Sequence, residues 1–147
     1  MAEREDILTT LQTRFEAHSD SPTVTRDWSK DAVLVNLPKI LLIPRQDEVK
    51  KSYRAQGSEI NDRHWTISII GIIDGTTSED APTEIETFMS EVKKLAYATQ
   101  SGRIGTAQQF REIYTGPPLF QGAGEAVILQ EWMILVIYRE EISKLFV

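Results

Sequence analysis

The longest strand pattern in the sequence is Ala126-Val-Ile-Leu-Gln-Glu-Trp-Met-Ile-Leu-Val-Ile-Tyr138, and it decides how the rest of the chain is interpreted. Because side chains of a strand alternate between two faces, one face receives Ile128, Trp132, Ile134 and Val136. The other face receives Leu129, Met133, Leu135 and Ile137. A strand that is apolar on both faces needs cover on both sides. We therefore expect residues 126–139 to form a strand whose cover comes partly from another subunit.

Four other stretches have strand patterns. Residues 63–73 alternate and then become apolar on both faces, which predicts a central strand. The run Lys39-Ile-Leu-Leu-Ile43 is too short for a helix, and the prolines on either side of it, Pro38 and Pro44, indicate a sheet edge. Residues 107–114 alternate as well, and residues 23–28 predict a short edge strand.

Two stretches have the spacing of amphipathic helices. The first places four apolar side chains on one stripe: Ile7, Leu8, Leu11 and Phe15. The second follows Asp80 and Pro82, which are typical of a helix start. Its apolar stripe comprises Ile85, Phe88, Met89, Val92, Leu95, Ala96 and Thr99, and its water side comprises Glu84, Glu86, Glu91, Lys93 and Lys94. The expected fold is α+β, a mixed, mainly antiparallel sheet with two helices packed on one face.

We expect one domain spanning residues 1–147, because this length is typical of a domain with a single core. Two segments stand apart from that core. Residues 45–62 are polar, and we expect a long loop that is either a solvated hairpin tip or an arm contacting a partner. Residues 141–147 include Ile142, Leu145 and Phe146, which predicts a C-terminal arm.

The composition excludes several classes of function. The chain has no cysteine, so neither disulfides nor thiolate metal sites are available. Its net charge of −6 gives no overall drive for binding nucleic acid. The apolar run at residues 133–138 is far too short to span a membrane, and the charged start is unlike a secretory signal. We expect a protein made in the cytoplasm.

No reactive constellation emerges from the remaining polar residues. His18 and His64 are far apart and have no nearby metal ligand or nucleophile partner. The acidic pairs Glu79-Asp80, Glu84 with Glu86 and Glu140-Glu141 fit a helix start or a solvated strand end. Gly122 and Gly124 precede a strand, so they lack the strand-to-helix setting of a phosphate loop. Gly102-Arg-Ile-Gly105 has the form of the backbone-clamping loop of KH domains, but that loop lies between two helices and here a strand is expected next. We predict no catalytic, metal or cofactor site, and no enzyme activity.

The order of these segments resembles the tail terminator of long-tailed bacteriophages. The resemblance spans nearly the whole chain and lies in the lengths and apolar runs of its segments. These are Arg4-Glu-Asp-Ile-Leu8, Leu37-Pro-Lys-Ile-Leu-Leu-Ile43, the polar segment, Trp65-Thr-Ile-Ser-Ile-Ile70, Ile85-Glu-Thr-Phe-Met-Ser-Glu-Val92 and the final strand pair.

This resemblance implies a virion protein that assembles in the bacterial host and lies where the tail meets the neck. Terminators form a ring, usually of six copies, that caps the tail tube, stops its polymerisation and offers its other face to the head connector or stopper. DNA would pass through without being bound, since a ring of acidic subunits repels it. The expected contacts to neighbouring subunits or the tube are Arg45, Lys50, Lys51, Arg54, Ile142, Leu145 and Phe146.

Three alternatives remain open from the sequence. A head-to-tail stopper or neck adaptor has much the same pattern of segments. A binding module for nucleic acid or protein would use residues 45–63 as a cationic arm. An enzyme of unknown type has the least support.

Overall fold

The fold is taken from a computed structural model, which describes residues 2–26, 37–75, 80–97, 107, 109–121 and 127–143. Two helices and six strands lie in this part of the chain. In order they are α1 (Ala2–Glu16), β1 (Thr23–Thr25), β2 (Lys39–Ala55), β3 (Ser58–Asp74), α2 (Ala81–Ala96), β4 (Gln109–Thr115), β5 (Leu119–Gln121) and β6 (Val127–Ser143). The α+β class is confirmed.

The six strands form one sheet in the order β1-β2-β3-β6-β4. β5 pairs with the start of β6, on the same side of β6 as β4. Only the β1–β2 pair is parallel, so the sheet is mixed and mainly antiparallel, as expected. The strand from residue 63 onward is central, because β3 lies between β2 and β6. The predicted final strand is also interior, and it extends to Ser143.

Both helices pack on one face of the sheet, where α1 buries its predicted stripe and α2 buries most of its own. Leu95 is only partly buried, and Thr99 lies outside the described residues. Phe15 of α1, Phe88 of α2, Trp65 of β3 and Trp132 of β6 belong to one core cluster on this face. Gly71 of β3 lies under α2, where an added Cβ would come within 2.4 Å of the Met89 sulfur. The missing side chain therefore lets the helix approach the sheet closely.

The expected loop at residues 45–62 is wrong. This segment is the outer part of a long β2–β3 hairpin, whose turn consists of Gln56 and Gly57. Both turn residues have positive φ, 48° and 81°, as a tight two-residue hairpin turn requires. The alternating pattern is missing because the helix layer ends before this part of the sheet, so neither face is consistently apolar. The segment is therefore a hairpin, and its contact with a partner stays a prediction.

The C-terminal arm is corrected in part. Residues 141–143 continue β6 and pair with residues 58–60 of β3, so they belong to the sheet. Leu145 and Phe146 lie outside the described residues. The stretch 23–28 is reduced to β1, and Trp28 also lies outside the described residues.

The expected sheet edge around Pro38 and Pro44 is confirmed for one proline only. β1 pairs with residues 39–41 of β2, so the stretch after Pro38 has a strand on both sides. Beyond residue 41, β2 pairs only with β3 among the described residues, and Pro44 lies in this edge portion. A proline fits there because its nitrogen cannot donate a hydrogen bond to a neighbouring strand.

The second face of the sheet carries a smaller apolar cluster, on which no helix of the described residues packs. Its buried members are Leu41, Ile43, Ile72 and Val127. Farther along β6, Met133, Leu135 and Ile137 are only half-buried on this face. We call this second face the open face.

Candidate assembly surfaces

The most apolar exposed surface in the described part of the chain lies along β4 and β5. Four large side chains there are between 42% and 49% exposed: Ile113, Tyr114, Leu119 and Phe120. We call residues 109–121 the β4–β5 edge. β4 ends the strand order, so the outer side of this edge has no strand partner among the described residues. Exposed apolar side chains on an unpaired strand are typical of an interaction surface.

The β4–β5 edge is held in place at its break, where Gly116, Pro117 and Pro118 interrupt the strands. The Gly116 amide donates to the Glu131 carbonyl oxygen at 2.8 Å. The buried Gln130 side chain donates to the Gly116 carbonyl oxygen at 2.9 Å. Two hydrogen bonds to β6 therefore fix the backbone between β4 and β5, so the edge is preorganised.

On the opposite side of the sheet, β1 covers only residues 39–41 of β2. The following residues of β2, 42–54, have no outer strand partner among the described residues, and we call them the β2 edge. The four predicted basic contact residues lie along it: Arg45, Lys50, Lys51 and Arg54. They do not form a compact patch. Arg45 turns onto the open face, where its Nε donates to the Ser68 hydroxyl at 3.0 Å and a guanidinium nitrogen lies 3.9 Å from Glu131.

The lysines of the β2 edge already have contacts within their own chain. Lys50 Nζ lies 2.6 Å from a Glu48 carboxylate oxygen, and this pair is exposed. Lys51 Nζ lies 5.8 Å from the centre of the Tyr53 ring. Arg54 faces Glu59 across the hairpin. Ile142 is 43% exposed on β6, and it faces Glu59 from the other side.

Acidic residues alternate with these basic ones throughout the outer hairpin. Arg139 donates to Asp62 at 2.9 Å, and this hydrogen bond raises the pKa of the guanidinium. Arg63 donates to Glu140 at 3.0 Å. Burial raises the pKa of Glu140, but hydrogen bonds from Arg63 and Asn61 outweigh it and leave that pKa below its ordinary value. The outer hairpin is therefore a surface of mixed charge, whereas an arm that binds nucleic acid needs an excess of cations.

A buried polar network anchors this hairpin to the helix layer. The Asp47 carboxylate, 6% exposed, accepts hydrogen bonds from Arg4 of α1, Arg63 of β3 and the Tyr138 hydroxyl of β6. Burial and the bond to Asp47 both raise the pKa of Tyr138. Arg4 also lies 4.9 Å above the Trp65 ring. The carboxylate is fully used in joining four elements, so we assign it a structural role.

The two histidines are apart in the structure too. His18 is buried, with Nδ1 accepting from the Asp20 amide and Nε2 donating to the Phe88 carbonyl oxygen. It borders an open cleft of about 640 Å³ between α2 and the end of β3. His64 lies half-buried on the open face beside Thr66. Both ring nitrogens of His18 are occupied by backbone groups, which indicates a structural role.

The predicted acidic pairs have ordinary surroundings. Glu84 lies in the first turn of α2 and Glu140 is bound to Arg63, while Glu79 lies outside the described residues. The described residues contain no cluster of histidine and carboxylate side chains that could hold a metal ion. None of the helices in the described ranges is long and apolar enough to cross a membrane.

The structure is that of an α+β protein with helices on one face of its sheet. Both edges of the sheet are partly open among the described residues. The chain matches no model of a protein family and no curated protein. The β4–β5 edge could not be recognised from the sequence, because exposure of its apolar residues depends on which strand ends the sheet.

Proposed function

We propose that this protein is a structural subunit of a bacteriophage tail, a terminator that assembles into a ring and caps the tail tube. The observation that carries the proposal is the β4–β5 edge, where two strands without an outer strand partner among the described residues carry four exposed apolar side chains. A surface of this kind is avoided by proteins that remain monomeric, because it promotes association. The resemblance of the whole chain to tail terminators supplies the kind of assembly.

Capping requires that the ring fits the end of the growing tube. A ring seated on the last layer of tube subunits covers the surface to which the next layer would add. The outer face of the ring then meets the head connector or stopper. In this role the protein needs no reactive group, which agrees with the structural use of His18 and Asp47. DNA passes through the ring without specific binding.

The test uses the purified protein and tail tube subunits of the same phage. Tubes are assembled with and without the protein, and their lengths and ends are examined by electron microscopy. We expect rings on tube ends and a shorter, narrower distribution of tube lengths. Unlimited tube growth, with no ring at any tube end, would contradict the terminator role. Rings that bind the head connector but ignore tubes would instead favour a stopper.

The nucleic-acid alternative has its own test. In this test Lys50 and Lys51 are both changed to glutamate, and DNA retention on a gel is measured at two salt concentrations. A cationic arm would lose retention and its salt dependence. Because Lys50 is already paired with Glu48 in an arm of mixed charge, we expect weak retention at low salt that hardly changes in the variant.

A further inference from the structure

The sheet has two edges that are open along much of their length. On one side, β1 covers only residues 39–41 of β2, which leaves residues 42–54 without an outer strand partner among the described residues. On the other side, β4 presents residues 109–115 and β5 presents residues 119–121, and the prolines between them have no N–H. Backbone N–H and C=O groups along the strand segments are available to another strand. Each edge could therefore accept a strand, and on this second side the main pairing would be with β4.

The directions of the strands make the two edges complementary. β2, β3, β6 and β4 are neighbours in this order, and every pair among them is antiparallel. β4 therefore runs opposite to β2. A second copy placed beside the first in the same orientation would present its β2 antiparallel to β4 of the first copy. The sheet would continue without a break, and the helices of both copies would lie on the same face.

The need to cover both edges favours this arrangement over pairing of like edges. Two β2 edges, or two β4–β5 edges, could pair with each other, but either contact is complete in a dimer and leaves the other edge of both copies open. Pairing of unlike edges covers both the β2 edge and the β4–β5 edge. It also covers Val49, which is 45% exposed on the β2 edge.

We propose that the β4–β5 edge of one copy pairs with the β2 edge of the next, which joins the sheets head to tail. This inference rests on the proposed self-assembly and names the surfaces that carry it. A head-to-tail contact repeats until the rotation between copies closes a ring. Because β1 blocks residues 39–41, the two copies must be staggered along the strands, and closed sheets require such a stagger.

The test uses engineered cysteines, since the chain has none of its own. Tyr114→Cys lies on the β4–β5 edge, and Lys51→Cys lies on the β2 edge. Within one copy these positions are three interstrand steps apart and offset by six residues along β3, a separation on the order of 20 Å. A short bismaleimide reagent cannot span that distance within one copy, so it reports contacts between copies.

The expected result is a ladder of covalent multimers from the double variant on a denaturing gel. Each single variant alone should give none, and a mixture of the two single variants should stop at dimers. The matched control combines Lys51→Cys with Thr87→Cys, an exposed position on α2 away from both edges, and should give no ladder. Sedimentation of the same samples shows whether they are assembled.

Two results would overturn the pairing while leaving self-assembly intact. One is dimers from Tyr114→Cys alone, which would mean that the β4–β5 edges pair with each other. The other is assembled protein without a ladder, which would place the contact elsewhere on the surface. A protein that stays monomeric at all concentrations and on tail tubes would overturn both the pairing and the proposed function.

Discussion

Arg4, in the first turn of α1, donates through Nε to the Asp47 carboxylate of β2 at 2.9 Å, across 43 residues of sequence. This bond attaches the start of the chain to the point where the β2–β3 hairpin leaves the helix layer. Arg63 and Tyr138 bind the same carboxylate from the two neighbouring strands. One largely buried acid therefore joins the base of the outer hairpin to α1, β3 and β6.

Asp47→Asn should therefore destabilise the protein. The amide keeps the shape of the side chain but removes the negative charge beside Arg4 and Arg63. Arg63 keeps its pair with Glu140, and Arg4 is 37% exposed to water. We therefore expect a cost of about 1–3 kcal/mol, measured as the free energy of unfolding in urea. The control is Glu48→Gln, whose exposed pair with Lys50 should leave the midpoint of urea unfolding nearly unchanged. Equal effects of the two substitutions would contradict the assignment of Asp47.

Phe88→Ala and Leu95→Ala should differ in their cost, although the sequence places both residues on the same helix stripe. Phe88 is 3% exposed and stacks on His18 with ring centres 4.3 Å apart, whereas Leu95 is only partly buried. We expect Phe88→Ala to lower the free energy of unfolding by about 3–5 kcal/mol and Leu95→Ala by about 1–2 kcal/mol. Urea unfolding measures both. The reverse order would mean that α2 is rotated relative to the sheet.

Glu91 should make stability depend on pH on the acidic side. Hydrogen bonds from the Ser19 hydroxyl and amide lower the pKa of this carboxyl below its ordinary 4.5. A lowered pKa in the folded state means that the ionised group stabilises the fold above the ordinary pKa. That stabilisation is lost as the pH falls through the lowered value.

Glu91→Gln tests this dependence. We expect the variant to be less stable than the wild type at about pH 6, with a difference that shrinks below about pH 4. The measurement is thermal unfolding across this range. Glu86→Gln, on the exposed side of the same helix, serves as the control and should follow the wild type at every pH. A difference between wild type and Glu91→Gln that does not change with pH would contradict the role of the Ser19 hydrogen bonds.

Much of the fold could be predicted because burial leaves a pattern in the sequence. Ile85 and Phe88 of α2 alternate with charges at helical spacing, and Trp65 and Ile67 of β3 alternate with polar residues. The outer hairpin has no such pattern, because the helix layer does not reach it. There the strands are held by backbone pairing around the turn at Gln56. Backbone pairing leaves no periodic pattern of side chains, so it cannot be predicted from such a pattern.

The candidate surfaces were harder to predict, and the reason is long-range pairing. Asp47 binds residues 43, 16 and 91 positions away, so no local motif marks it. The apolar residues of β4 and β5 look like core residues in the sequence. They are exposed because β4 ends the sheet, which only the strand order reveals. The predicted basic residues do lie on an edge of the sheet. The sequence did not reveal that acidic residues such as Glu48 and Glu59 lie beside them.

The last prediction concerns the β4–β5 edge itself. Tyr114→Lys and Phe120→Lys place a charge on side chains that are 46% and 42% exposed, so the fold should tolerate both. Lysine on an edge strand opposes pairing with another strand, because its charge would have to be desolvated. We expect each variant to unfold within a few degrees of the wild type but to assemble at least about tenfold more weakly, a difference of about 1.4 kcal/mol.

Sedimentation velocity over a range of concentrations, together with capping of tail tubes, measures this loss. Lys94→Glu on the exposed side of α2 is the control for a change of charge away from the edge, and it should assemble like the wild type. Unchanged assembly of both lysine variants would show that the exposed apolar side chains of β4 and β5 take no part in association. A large loss of thermal stability would show instead that the edge is needed for the fold of the single subunit.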